Sequence, residues 1–281
     1  MKKIIIIFLI PFFIVSCKKD EIETAPKSGI SQEIKNLIYF KGDENASIVL
    51  VNTQGGPQIN LATTEFEEIL QNVNTSNILR VNVHQKQTLS PSLFTSNDIS
   101  FNDAIDYDTE TVETLYKVVK YFKDQNKTVY VLGISYGAFV AQQLIATKGI
   151  DVADKYLIMV GRLDMNEAYW TLFSQGKGGN FTNGGLPIVP LVQSDVRIRN
   201  MYRLAAGIAK NRFTQTLNSI PSLSKITYAY GKTDDQVGKL TDSEIQFLQS
   251  KNATIIFGNG GHSNTIDSKI VEGFKVAFGI E

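Results

Sequence analysis

Short apolar runs rich in β-branched and aromatic residues recur along the chain, separated by longer stretches whose apolar spacing is helical. Ile48–Val51, Ile78–Val83, Val129–Leu132, Tyr156–Val160, Ile226–Tyr230 and Ala253–Phe257 read as strands, because such side chains suit a pleated, packed surface. A helix-like stretch runs from Thr63 to Val73. Val112, Leu115, Val118, Val119 and Phe122 recur at the spacing of one helix face, as do Ile266, Ile270, Val271, Phe274 and Phe278. Ala138 to Ala146 reads as a mostly buried helix that Gly149 is placed to end. Thr241 followed by Glu244 has the spacing of a capping box and opens a helix before the last strand.

Strands that alternate with helices, and that are apolar on both faces, predict an α/β fold. Its sheet should be mostly parallel and covered by helices on both faces. The alternation fails between about Asp164 and Pro221. That stretch holds Trp170, a glycine-rich run from Gly176 to Gly185 that reads as flexible, and a helix around Asn200 to Leu217. It is expected to be an insertion at about 164–221, lying over the sheet edge as a lid outside the alternating core.

The N-terminal segment stands apart from this pattern. Lys2 and Lys3 precede Ile4 to Val15, an apolar run broken only by Pro11. Its layout is that of a secretory signal, and it is too short to span a bilayer. Ile14-Val15-Ser16-Cys17 resembles the lipobox of bacterial lipoproteins. That resemblance implies a signal peptide over residues 1–16 and a lipidated Cys17 as the mature N-terminus. Lys18-Lys19-Asp20-Glu21 is similar to the export signal of surface lipoproteins in the Bacteroidetes. It implies an anchor in the outer membrane of the cell envelope and leaves open which face carries the domain. Residues 17–35 are polar and read as a flexible tether, leaving 36–281 for the folded domain. Cys17 is the chain's only cysteine, so no internal disulfide is available. The 28 basic residues balance the 28 acidic ones, which argues against a nucleic-acid partner.

The most informative motif is Gly133-Ile134-Ser135-Tyr136-Gly137, a G-x-S-x-G run between a strand and a helix. In that setting it reads as a nucleophile elbow, with Ser135 held on a strained turn at the sheet edge. A serine hydroxyl needs a base to take its proton. The chain has only two histidines. His262 follows the last strand in a glycine-rich loop and is the expected base, whereas His84 reads as a loop or site-wall residue. The base needs an orienting acid. Asp234, after the strand ending at Tyr230, is the leading candidate, with Asp235 and Asp164 as competitors. An oxyanion needs backbone donors already aimed at it: the Tyr136 amide and that of Gly56, with Gly55 next. Arg199, Arg203 and Lys210 lie where one helix face could hold an acidic group, or simply be solvated. No cluster has metal-ligand spacing, so neither a metal nor another cofactor is expected.

Together these parts resemble an α/β-hydrolase over roughly residues 40 to 280. The resemblance assigns the nucleophile to Ser135, the acid to Asp234 through Gly-x-x-Asp-x-x-Val, and the base to His262. Gly55-Gly56-Pro57 is similar to the His-Gly-Gly-Pro-Gly loop of proline iminopeptidase-like members, with Gln54 and Gln58 in place of its histidine and last glycine. The resemblance implies a serine hydrolase acting on an ester, thioester or amide of a small molecule or peptide. A carboxylic ester is favoured over an aminopeptidase substrate. A surface binding lipoprotein that keeps the scaffold without turnover is the alternative.

Overall fold

Period-two alternation along the strands divides the core into two halves. In the computed structural model, which describes residues 29–182 and 185–281, Val49 and Val51 face one buried cluster and Leu50 between them faces another. Val129 and Val131 against Leu132, and Tyr156 and Ile158 against Leu157 and Met159, repeat the division. Successive strand side chains point to opposite faces, so a strand that is apolar throughout must be covered twice. The expected signal peptide and Cys17 lie outside the described residues, as does the tether up to residue 28; its last residues are not a flexible tether, because Ile30 and Ile34 are buried in the core.

In chain order the strands are β1 (Ile38–Lys41), β2 (Ile48–Thr53), β3 (Ile78–Val83), β4 (Thr128–Ile134), β5 (Lys155–Met159), β6 (Gly178–Thr182), β7 (Gly185–Leu191), β8 (Ile226–Gly231) and β9 (Thr254–Gly258). Seven of them form one sheet in the order β1-β3-β2-β4-β5-β8-β9, parallel except for β1. Register is set by apolar pairing: Val51 lies opposite Val81 on one side and Val131 on the other. The apolar runs do not include β1. It is a half-exposed, four-residue edge strand with Ile38 its buried residue, too short to give a periodic signal.

The helices begin with four short ones: α1 (Gln32–Lys35), α2 (Thr63–Ile69), α3 (Lys86–Leu89) and α4 (Ser92–Thr95). The long α5 (Phe101–Asp124) and α6 (Tyr136–Lys148) follow, then α7 (Glu167–Ser174), α8 (Val196–Ala209), α9 (Phe213–Thr216), α10 (Asp242–Ser250) and α11 (His262–Phe278). Val112, Leu115, Val118, Val119 and Phe122 of α5 are buried on one sheet face with α6; Phe66 of α2 and Ile270, Phe274 and Phe278 of α11 fill the other. Gly149 caps α6 at φ 88°, a left-handed conformation that glycine tolerates at little cost. Thr241 and Glu244 form the capping box that their spacing predicts.

The segment between β5 and β8 departs from expectation in three ways. Its glycine-rich run is not a loose flap, because β6 and β7 pair as an antiparallel hairpin. The helix expected over Asn200 to Leu217 is two helices, α8 and α9. Nor does the segment stand outside the core. Ala206, Ile208 and Phe213 are buried in the same cluster as the strand residues. A fully buried phenylalanine is worth about 1.5–3 kcal/mol, so removing the segment would cost folding. Arg199 and Arg203 are not a free cationic face. Both bond Asp98, at 2.9 and 2.5 Å, and hold its carboxyl down to about 2. Lys210 stands 5.8 Å over the Phe101 ring.

Candidate active site

Ser135 sits at the turn between β4 and α6 with φ 55° and ψ −120°. A non-glycine residue in that region carries strain of roughly 1–3 kcal/mol. The motif glycines are explained by closeness. A Cβ on Gly133 would come within 2.6 Å of the Gly137 carbonyl oxygen, and one on Gly137 would collide with that of Thr53. Only hydrogen at both positions lets α6 approach β4 and the end of β2 while the Ser135 amide bonds Met159 O at 3.0 Å. The strain is measurable. Ser135→Gly should be more stable than Ser135→Ala by about 1 kcal/mol in denaturant unfolding, after glycine's extra chain entropy is subtracted. An equal or less stable glycine variant would mean that the turn stores no strain.

The structure brings Ser135, His262 and Asp234 together just beyond the ends of three strands at one sheet edge. His262 Nε2 lies 2.9 Å from Ser135 Oγ, and its Nδ1 lies 2.7 Å from Asp234 Oδ2. Asp234 and His262 are buried, whereas Ser135 is partly open. Asp234 is fixed on its other side too, since Oδ1 accepts the amides of Gln236 at 2.9 Å and Val237 at 3.0 Å. His262 is not a loop residue as its glycine-rich flank suggests; it opens α11. The competing acids are elsewhere. Asp235 is exposed beside the cavity. Asp164 accepts the hydroxyl and amide of Thr214, at 2.5 and 3.2 Å. His84 Nδ1 meets Thr88 Oγ1 at 3.0 Å, and burial lowers its pKa.

The oxyanion candidates are arranged differently from expectation. The Tyr136 amide is not open to a ligand in this conformation, because it donates to the Gly55 carbonyl at 3.0 Å. Beneath this loop lies a network of buried amides that the sequence reading missed. Gln54 donates from Nε2 to Gly56 O at 2.9 Å and Gln58 O at 3.3 Å, and accepts the Ala62 amide at 2.7 Å. Gln85 Nε2 donates to Gln54 O at 3.0 Å, and Asn52 bonds Asn82 at 2.8 Å. Polar residues at buried strand ends are the signal that points to such a network.

Two further missed residues fix the surroundings. Asp108 of α5 accepts the Tyr136 hydroxyl at 2.5 Å, and burial pushes its carboxyl well above the usual range. Its place on the helix face of Val112 and Leu115 marks it in sequence as a buried acid. Arg162, just beyond β5, bonds Glu244 at 3.0 Å in a fully buried ion pair. Glu244 also accepts the Leu163 and Asp164 amides, a role its capping-box position did not announce.

Two cavities meet at Ser135, both touched by Gly55 and Gly56. One, of about 400 Å³, is walled by Tyr136, Phe139, Tyr169, Trp170, Phe173 and Tyr202, so helices α7 and α8 supply much of it. The other, of about 260 Å³, lies on the His262 side against Asn52, Gln54, Gln58 and Glu65. The segment between β5 and β8 also grips the loop that carries Asp234. The Tyr169 hydroxyl donates to Gln236 O, and the Phe181 amide donates to Asp235 O at 2.8 Å.

No protein-family model matches the chain, and no curated protein sequence matches it. Solved structures do resemble it. An alpha/beta hydrolase enzyme from a Medee basin deep-sea metagenome library aligns with a TM-score of 0.52 at 14% identity, over 84% of this chain and 94% of that one. The thioesterase domain from the curacin biosynthetic pathway gives 0.52 at 14%, over 84% and 92%. A structure from a study of two metagenome-derived lipolytic enzymes, LipS and LipT, gives 0.51 at 10%, over 86% and 96%. Identities this low speak to architecture rather than to reaction. With its parallel crossovers, its strand order and these likenesses, the chain has the α/β-hydrolase fold.

Proposed function

We propose that this protein is a serine hydrolase working through an acyl-Ser135 intermediate. One observation carries the reading: the hydrogen-bonded chain from Ser135 Oγ through both His262 nitrogens to Asp234, at 2.9 and 2.7 Å. As Oγ bonds to the substrate carbonyl carbon, its proton passes to Nε2 and the carbonyl π electrons move onto oxygen. Collapse of that oxyanion breaks the bond to the leaving group, which departs with the proton from Nε2. Water then repeats the sequence on the acyl-enzyme and restores the serine hydroxyl. Asp234 holds the Nδ1 proton and stabilises the imidazolium.

Cavity chemistry supports an ester or thioester with an apolar acyl group as the substrate. The aromatic cavity suits that acyl group, and the amide-lined side suits a polar leaving group. A carboxylic ester is preferred to an aminopeptidase substrate because, among the described residues, Asp235 is the single carboxylate lining the aromatic cavity, where a substrate amine would call for a cluster. The N-terminal Lys-Lys, apolar run and Cys17 support anchoring of this hydrolase in the cell envelope by lipidation.

A binding protein without turnover is the second reading, favoured by the Gly55 carbonyl on the Tyr136 amide. Fluorophosphonate labelling of the full chain separates them. Labelling that is lost in both Ser135→Ala and His262→Ala establishes an activated serine. A folded parent that resists labelling at every probe size favours the binding role.

A further inference from the structure

A trans peptide carries its C=O and N–H on opposite sides. With the Gly55 carbonyl turned toward the Tyr136 amide at 3.0 Å, the Gly56 N–H of the same peptide must point away from it. This closed arrangement gives the Tyr136 donor a partner within the protein. It also puts a carbonyl oxygen on the amide next to Ser135, where a substrate oxyanion would need a donor.

The chain is anchored on both sides of this peptide, whose own carbonyl is held by the Tyr136 amide alone among the described residues. Gln54 is buried and binds the carbonyls of Gly56 and Gln58 from Nε2, while its Oε1 takes the Ala62 amide. Its own carbonyl is held by Gln85. Between these anchors lie two glycines. A half-turn of their shared peptide changes ψ of Gly55 and φ of Gly56 by about 180° and leaves the flanking Cα positions nearly in place. Gly56 does not have a positive φ in the closed state, so a half-turn carries it to a positive φ, which glycine adopts at little cost.

We propose that the Gly55–Gly56 peptide is a substrate-operated switch of the oxyanion hole, and that Gln54 is the positioning residue on which it turns. Closed, Gly55 O occupies the Tyr136 amide. Open, the substrate carbonyl oxygen replaces it and gains a second donor, the Gly56 N–H, in the same movement. No covalent bond changes in the switch. The proposal rests on Ser135 being the nucleophile, and it explains how an occupied amide is compatible with turnover.

The direct test is a crystal structure of the full chain in detergent after reaction with a fluorophosphonate. The expected adduct on Ser135 has its phosphonyl oxygen accepting from both the Tyr136 and Gly56 amides, with Gly55 O turned away. An adduct with Gly55 O still on the Tyr136 amide overturns the switch and leaves the nucleophile standing. Absence of any adduct overturns the catalytic reading and the switch with it.

Kinetics give the second readout. In the closed state a Cβ on Gly56 meets only the end of the Gln58 side chain, so Gly56→Ala should fold. It should lower kcat by about 100-fold, the usual loss for one oxyanion donor, with KM nearly unchanged. Gln54→Met, which keeps the volume and removes the donor, should lower kcat about tenfold. Gln54→His, which returns an N–H, should recover part of the loss. Parent-like kcat in a folded Gly56→Ala or Gln54→Met overturns the roles assigned to them.

Discussion

Turnover of a p-nitrophenyl ester should fall by about 10^4-fold or more in Ser135→Ala, and by a similar factor in His262→Ala. The size follows from the hydrogen-bonded chain. Without Oγ there is no atom to form the acyl bond; without Nε2 at 2.9 Å, the hydroxyl must attack while keeping its proton. Because the two act in one step, the double variant should be scarcely worse than either single one. Multiplied losses would mean independent roles and would break the proposed mechanism. Both variants should keep the parent's circular dichroism. Alanine at 135 retains the strained turn, and His262 lies at the first turn of α11 rather than in its packed middle. A decrease under tenfold in a folded Ser135→Ala would remove Ser135 as nucleophile.

Most of this architecture could be read from apolar periodicity, and the failures have identifiable causes. Strands buried on both faces, such as Val129–Leu132, announce themselves because neighbouring residues must all be apolar. The edge strand β1 does not, because only one of its residues is buried. The β6–β7 hairpin was hidden by its glycines, which read as loop when considered locally. They are tolerated as strand because Tyr202 lies over Gly178, and Leu172 and Ile188 lie over Gly179. Here tertiary contact overrode propensity.

At the site, residue type and chain order were enough to nominate Ser135, Asp234 and His262. Each follows a parallel strand, and the strands deliver them to one sheet edge. The buried Asp108–Tyr136 bond and the Gln54 network were not legible in that way, because they join residues distant in sequence and depend on which polar groups burial leaves without water. The occupied Tyr136 amide was further still from view. It depends on the orientation of one peptide between two glycines, where sequence imposes almost no preference.

Asp234→Asn should reduce turnover by nearly as much as loss of the histidine, about 10^4-fold, with little loss of stability. The surrounding backbone dictates this. Oδ1 of Asp234 accepts the amides of Gln236 and Val237 at 2.9 and 3.0 Å, so an asparagine must place its own oxygen there. Its NH2 group then faces His262 Nδ1, which has to become an acceptor. A neutral imidazole with Nδ1 as acceptor carries its proton on Nε2, the atom that must receive the serine proton. One substitution thus preserves packing and loop geometry while fixing the wrong tautomer. Asp164→Asn provides the contrast, because that carboxylate is bonded to Thr214 at the start of α9. It should cost about 1 kcal/mol of stability and leave kcat near that of the parent. If the pattern is reversed, with Asp164→Asn inactive and Asp234→Asn active, the acid belongs at the end of β5, and the 2.7 Å contact to His262 is structural only.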